Sequence, residues 1–361
     1  MQTNSIFQKL LFLKKDKVVL TAVAVLVLLY ATVFLADFIA PYSKTDYNRQ
    51  LAKAPPTPVY VLDETGSLTW PYIFRYRRSF NPETFTQVFS ADLTTRYPIQ
   101  FFVERQPVKI LGFIPFKWRL FGVDAPGWVS LLGNDINGRD IFSRLLYGGQ
   151  ISLTIGFLSL FVVFPVGTLY GGISGYFGGM IDTLMMRFAE IIMSIPSFFV
   201  LIGLAAVLPP GLSSSQRFVL VILILSSIGW ASLSRVIRGM ILKIKNQEFV
   251  EASQAIGQNS FNIITRHLLP QTASYLLVAF TLSVPGYILA ESGLSFLGLG
   301  IQQPDASWGN MLKEAQDISN IVERPFMLMP GFMIFLAVLA FNVVGDAVRD
   351  AVDPKTTAGN S

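Results

Sequence analysis

The sequence predicts an all-α polytopic membrane protein: six transmembrane helices, with a small mixed α/β extracytoplasmic insertion between helices 1 and 2. Three observations lead there. Of 361 residues, 52% are hydrophobic and only 14% charged, against roughly a quarter charged in an ordinary soluble chain. The apolar residues are gathered into long runs, each near the roughly 20 residues a helix needs to cross a bilayer. A polar stretch, Pro41 to Gly148, separates the first run from the second.

The same composition excludes several chemistries. There is no cysteine, so neither disulfides nor thiolate metal sites exist. A single histidine cannot build a multi-histidine metal centre. The net charge of +5 is spread along loops instead of being collected on one face, so it reflects membrane topology and not nucleic-acid binding.

Residues 1–17 hold Lys9, Lys14, Lys15 and Lys17 and form a cytoplasmic N-terminus. The run Val18–Ala40 is longer than a signal-peptide core and is followed by no clear small-x-small cleavage site. It is therefore an uncleaved first span. Residues 41–148 form the extracytoplasmic insertion and a lead-in segment. Within them Tyr97–Asp124 alternates in places and is broken by turn residues, which predicts short strands and hairpins. The insertion is basic, but the positive-inside rule weakens for long translocated loops.

A core from 149 to 347 carries five further apolar runs: Ile151–Tyr176, Met185–Leu208, Phe218–Leu242, Thr272–Leu294 and Phe326–Val344. Six spans return the C-terminal residues 348–361 to the cytoplasm. They also place the polar block 246–270 there, with Arg235, Arg238, Lys243, Lys245 and Arg266 in or beside it.

Gly167, Gly171, Gly175 and Gly179 recur every four residues and share a helix face, where a second helix can approach closely. Helix packing is the plain reading of that stripe, and a substrate role the alternative. Pro165, Pro196 and Pro285 fall within spans and kink them, as static bends or as hinges. Asp182, Arg187 and Glu190 open the third span as interfacial groups, the last two spaced to pair. Glu291 sits in apolar, glycine-rich surroundings and must be solvated by a partner, a re-entrant bend or water. No phosphate loop, nucleophile elbow or zinc-protease motif is present, and no catalytic set emerges.

The block itself reads as helix, turn, helix. Asn246 can cap a helix starting at Gln247, with Phe249, Val250, Ala252 and Ile256 largely on one side. Gly257 can end that helix in a left-handed conformation. Ser260 can cap a second helix carrying Phe261, Ile263 and Ile264 towards Leu268 and Leu269, before Pro270 interrupts it. Physically, this describes either a loop lying on the membrane surface or a knuckle offered to a protein socket.

The spacing of Glu251, Ala252, Ser253, Gly257, His267, Leu269 and Pro270 resembles the EAA loop of ABC import permeases. Ser253 stands where a second alanine is usual, and His267 where an isoleucine is usual. Leu131–Gly156, Gly178–Pro196, Glu291–Leu312 and Phe341–Pro354 resemble, in order, the C-type subunits of dipeptide and oligopeptide permeases. The likeness covers about Leu131–Pro354.

The resemblance implies a type-1 ABC import permease architecture in a bacterial inner membrane. It implies a non-enzymatic subunit forming half of the pathway for peptides or peptide-like solutes. The implied partners are a second permease subunit, two ABC ATPase subunits at the cytoplasmic face and an extracytoplasmic solute-binding protein, with no nucleic acid. No cofactor is expected on this chain, and ATP with Mg²⁺ is expected in the ATPases. Glu251 would supply charge to the joint with the ATPase and Gly257 its bend. Nickel chelates, oligosaccharides and peptide antibiotics are alternative cargoes. An ATPase-independent channel or secondary transporter is the alternative of a different class, though no clear inverted repeat is visible. Pro41–Ser130 is about twice the family's usual length, which suggests a docking platform for the binding protein or the sister permease.

Overall fold

The computed structural model describes residues 16–83, 86–110, 114–209 and 211–352. Lys9, Lys14, Lys15 and the segment 353–361 lie outside the described residues. The chain divides into two compact units. One comprises Met1–Val27, Leu153–Leu294 and Ile334–Ser361, and the other Leu28–Ser152 and Ser295–Met333.

The elements run α1 (Lys17–Phe34), α2 (Ala36–Ile39), β1 (Tyr60–Leu62), β2 (Leu68–Phe80), β3 (Gln87–Pro98), β4 (Gln100–Ile110) and β5 (Ile114–Gly122). There follow α3 (Ile141–Phe177), α4 (Gly179–Ser194), α5 (Ser197–Ala206), α6 (Ser214–Ile244), α7 (Glu248–Ala255) and α8 (Ser260–Asn262). The chain closes with α9 (Ala273–Phe296), α10 (Trp308–Leu312), α11 (Ile318–Glu323) and α12 (Met329–Val352).

Among the described residues, five helical segments are long and apolar enough to cross a membrane: Lys17–Phe34, Ile141–Phe177, Ser214–Ile244, Ser260–Phe296 and Pro325–Val352. The expected single helix Met185–Leu208 is instead a pair, α4 and α5, bent by 80° at its break. Pro196 explains the break. It has no N–H to donate, and it pushes the preceding Ile195 out of the helical region, to φ −94° and ψ 130°. The membrane-crossing total is thus five, or six if the bent pair counts as one span. Pro165 and Pro285 lie inside α3 and α9, which continue through them.

α3 starts ten residues before the expected Ile151. Asp140 caps it: one carboxylate oxygen accepts from Ser143 N at 2.8 Å and from Ser143 Oγ at 2.6 Å. The polar lead-in therefore becomes helix, with Arg144 in its first turns.

The middle of the insertion is β structure, preceded by a 3₁₀ turn at Arg49–Leu51 and followed by the start of α3 in the lead-in segment. Described residues between 57 and 122 contain strands and turns but no helix. β1, β2 and β3 form one antiparallel sheet, and β4 and β5 a separate hairpin. Aromatic and β-branched residues at a period of two favour this over helix. Tyr42, Ile73, Ile99, Val123 and Val129 form the core beneath the strands, where Tyr42 stacks on Trp128 with ring centroids 3.8 Å apart.

Candidate functional site

The polar block folds as two helical arms around Gly257. α7 begins at Glu248, with Gln247 at its N-cap making no side-chain cap, so Asn246 is not the cap. At its other end, Gly257 N donates to Gln254 O (2.9 Å) and Gln258 N to Ser253 O (3.1 Å). Those two bonds are the Schellman pattern, and they require a left-handed residue at position 257. Gly257 supplies it with φ +77°. The second arm is capped by Asn259, not Ser260: the Asn259 side chain accepts from Asn262 N at 2.8 Å. The arm then widens into a π-helical turn, Ile263–Leu268, and tightens into a 3₁₀ turn, Leu269–Thr272, before α9. Pro270 cannot donate within a helix, which fits a local departure from α geometry at this point.

The two arms have an inner and an outer face. Val250, Ile263, Ile264 and Leu268 are fully buried against Leu233, Ile237 and Ile241 of α6. Ser253 is buried as well, its hydroxyl returning to Phe249 O at 2.8 Å, so the serine fits where an alanine would. Outward face Glu251, Ala252, Ala255, Ile256 and Phe261. The expected grouping of Ala252 and Ile256 with Val250 is therefore incorrect: Ile256 is 75% exposed and Val250 0%. His267 Nε2 lies 2.8 Å from Gln258 Oε1 and ties the second arm back to the turn.

The strength of this seating determines what the loop can transmit. Four buried aliphatic side chains stabilise it by roughly 6–12 kcal/mol gross, at about 1.5–3 kcal/mol each. An exposed charged contact contributes only about 0–1 kcal/mol. The loop is therefore held to α6 far more firmly than any single contact on its outer face could hold a partner.

The glycine stripe extends the same path. A Cβ at Gly167 or Gly175 would lie 2.8 Å from Trp230 O or 2.9 Å from Arg238 O, and one at Gly171 would collide with Ser234 O. Three glycines of α3 thus meet three carbonyls of α6, each pair one turn from the next. Gly172 faces the loop itself, beside Leu269 and Ile264. Gly179 does not belong to the stripe. A Cβ added there would meet nothing within 4 Å, and with φ +55° this residue helps Gly178 turn α3 into α4.

Asp182 is not a loose interfacial group. Its two carboxylate oxygens accept from Arg238 Nε and Nη2, each at 2.5 Å, and Ser174 Oγ donates to it at 2.5 Å. This fork joins α4 to α6 at Arg238, the residue whose carbonyl makes the last glycine contact. Arg187 and Glu190 do pair, at 2.9 Å, on an exposed face. Glu291 is fully buried in α9, with Ser292 Oγ 3.4 Å away. Nothing in the sequence pointed to Arg238 as the partner of Asp182, 56 residues distant.

A second polar cluster, in the other unit, was also missed. Arg139 Nε donates to Asp135 at 2.6 Å, Arg144 Nε lies 3.4 Å from the same carboxylate, and Arg139 Nη2 is 3.6 Å from Glu314. Burial, reinforced by the charge of Asp135, pushes Glu314 up to about 7. Burial raises Asp140 to about 6 against the opposing bonds from Ser143. The dense charge of residues 134–144 was the available signal.

Comparison with known proteins identifies the family. A profile for the N-terminal transmembrane domain of oligopeptide transport permease C matches residues 10–56. The chain is 44% identical over 225 residues to the dipeptide transport system permease protein DppC of Bacillus subtilis, covering 62% of this chain and 68% of the relative. It is 42% identical over 224 residues to the oligopeptide transport system permease protein OppC of Haemophilus influenzae, covering 62% and 70%. Among solved structures, an inward-facing form of the MetNI methionine ABC transporter matches 59% of this chain and 98% of its own, with a TM-score of 0.45 at 20% identity. Residues 167–358, more than half of the chain and including both arms of the loop, match the profile of a single family. The chain belongs to the binding-protein-dependent transport system inner membrane component family.

Proposed function

We propose that this chain is the permease subunit of an ATP-driven importer for peptides or peptide-like solutes, and that its loop 246–270 is the joint with an ATPase. The observation that carries the reading is the division of the loop into a buried inner face and an exposed outer one. Ile256 and Phe261, at 75% and 63% exposure, stand beside Glu251 on a loop whose other side is locked to α6. Apolar side chains held outward on a rigid support suit a groove in a partner protein.

In this reading a second permease subunit completes the pathway and a solute-binding protein delivers cargo from outside. Two ATPase subunits bind ATP and Mg²⁺ on the cytoplasmic side, where both termini of this chain also lie. The chain itself carries no cofactor. When the ATPase pair closes, the loop moves as a body. The stripe Gly167–Gly171–Gly175 and the Asp182–Arg238 fork pass that movement to α3 and α4, biasing the pathway between inward and outward access. Peptide cargo is inferred from the names of the relatives, DppC and OppC.

Placing negative charge on the outer face tests the joint. Ile256→Glu with Phe261→Glu should abolish co-purification of the ATPase subunits while leaving the thermal stability of the membrane subunits within a few degrees of the parent. Undiminished co-purification would refute the assignment of this face.

A further inference from the structure

The β4–β5 hairpin is not covered by either matched profile, which span residues 10–56 and 167–358. It is packed on the end of the first span. Arg119 of β5 is buried and donates through Nη1 to Asp37 O of α2 at 2.5 Å and to Tyr147 Oη at 3.0 Å. Tyr147 in turn donates to Asp37 Oδ1 at 3.1 Å. α1 has 18 residues, about 27 Å of helix, close to the thickness of a hydrocarbon core, and Asp37 follows three residues after its end. Asp37 therefore marks the level at which the first span leaves the hydrocarbon, and the hairpin is held at that level.

One face of the hairpin is apolar and open. The register pairs Phe101 with Phe121 and Val103 with Arg119, which sets Phe102 opposite Leu120 on the face shared by Phe116 and Trp118. Phe38 of α2 joins this face, its ring centroid 6.0 Å from those of both Phe102 and Phe116. Phe102 is 60% exposed and Trp118 49%. At the end of the helix below, Leu28, Phe34 and Leu35 are exposed, and Phe38 follows in the next short helix. Phe38 thus links the exposed end of the span to the apolar face of the hairpin. Glu104, beside Trp118, is neutralised by Lys117 at 3.2 Å.

Phe102 adds a second, independent observation. Its φ is +56°, a region that bulky residues avoid. A strained backbone that displays a phenyl ring to water gains nothing from either feature. Both have a purpose if the ring is immersed in lipid.

The geometry points to a lipid-binding surface: Phe102, Phe116, Trp118 and Leu120 enter the boundary between acyl chains and headgroups in the leaflet where α1 ends. Trp118, with an apolar ring and a polar N–H edge, is of the type that favours that zone, while Phe102, Phe116 and Leu120 supply apolar area to bury there. The hairpin is then an anchor fixing the depth of the first span. The inference rests on membership of a membrane family and is independent of cargo.

The chain has no cysteine, so single reporter sites can be introduced directly. Phe102→Cys and Trp118→Cys replace exposed residues, with Val88→Cys on β3 as the reference. Each would be nitroxide-labelled in the full transporter, in phosphatidylcholine–phosphatidylglycerol nanodiscs. Collision with oxygen, which partitions into lipid, would be compared with collision with an aqueous nickel chelate. The oxygen-to-nickel ratio should be at least several-fold higher at 102 and 118 than at 88. A ratio equal to that at 88 would overturn the proposal by placing the face in water. Low access to both reagents would overturn it too, by placing the face under another protein.

Discussion

Gly257→Val separates the geometry of the loop from its packing. A Cβ at position 257 would meet no atom within 4 Å, so the substitution introduces no collision. What it changes is the backbone: the Schellman turn needs φ near the observed +77°, which costs an L-residue about 1–2 kcal/mol and a β-branched one more. The inner face resists wholesale rearrangement, because its burial is worth roughly 6–12 kcal/mol gross. The turn, not the seating, should therefore yield. A bias of about 1–2 kcal/mol against the docking-competent turn lowers its population about 5- to 30-fold. The assay is cargo-stimulated ATP hydrolysis and uptake, measured together in proteoliposomes. Gly257→Val should reduce uptake per ATP by at least several-fold, with a small change in thermal midpoint. Gly257→Asn should recover most of it, since asparagine tolerates the left-handed region. Valine and asparagine variants that both couple like the parent would refute the role given to this turn.

Further outcomes follow from the helix contacts and the buried charges. Gly171→Leu should prevent recovery of folded protein from detergent, because its side chain would drive into the Ser234 backbone, whereas Gly239→Ala, with open space around it, should be tolerated. A double-mutant cycle on Asp182→Ala and Arg238→Ala, read by thermal unfolding, should give a coupling of about 1–2 kcal/mol, the fork being partly exposed on the arginine side. His267→Ala removes the tie to Gln258 and should lower stability by about 1 kcal/mol without loss of assembly. Glu314 and Asp140 bind protons more tightly folded than unfolded. Their stabilising contribution is complete below the ordinary values of 4.5 and 3.8 and is lost as pH rises through about 6 to 7. The unfolding midpoint should therefore decline as pH rises from about 4 to about 7, and Glu314→Gln should flatten that slope.

Local chemistry explains which features could be read from the sequence. A glycine that must adopt positive φ announces itself between two amphipathic segments, so the hinge at Gly257 was legible. The caps were less so. Asn259 and Ser260 are adjacent and equally able to accept a backbone hydrogen bond, and only the path of the chain selects Asn259. An eight-residue helix also leaves its buried side ambiguous, since Val250 and Ser253 face inward while Ala252 and Ile256 satisfy much the same spacing. Hydropathy marked the apolar runs and Pro196 marked a bend in the third, but composition could not give the size of that bend, 80°, because sharply and gently bent helices have the same composition. The strands of the insertion were half legible: alternation revealed them, while nothing excluded a helix among them. Partnerships across the chain, such as Asp182 with Arg238 or Asp135 with Arg144, are set by packing and leave no local trace.

The joint with the ATPase is tested most directly by a photo-reactive benzoylphenylalanine placed at Ile256 in the assembled transporter, with Val250 as the buried control. Irradiation in membranes should join position 256 to an ATPase subunit and leave position 250 without such an adduct. Adducts of position 256 with lipid alone would return the loop to the membrane surface and contradict its role as the coupling element.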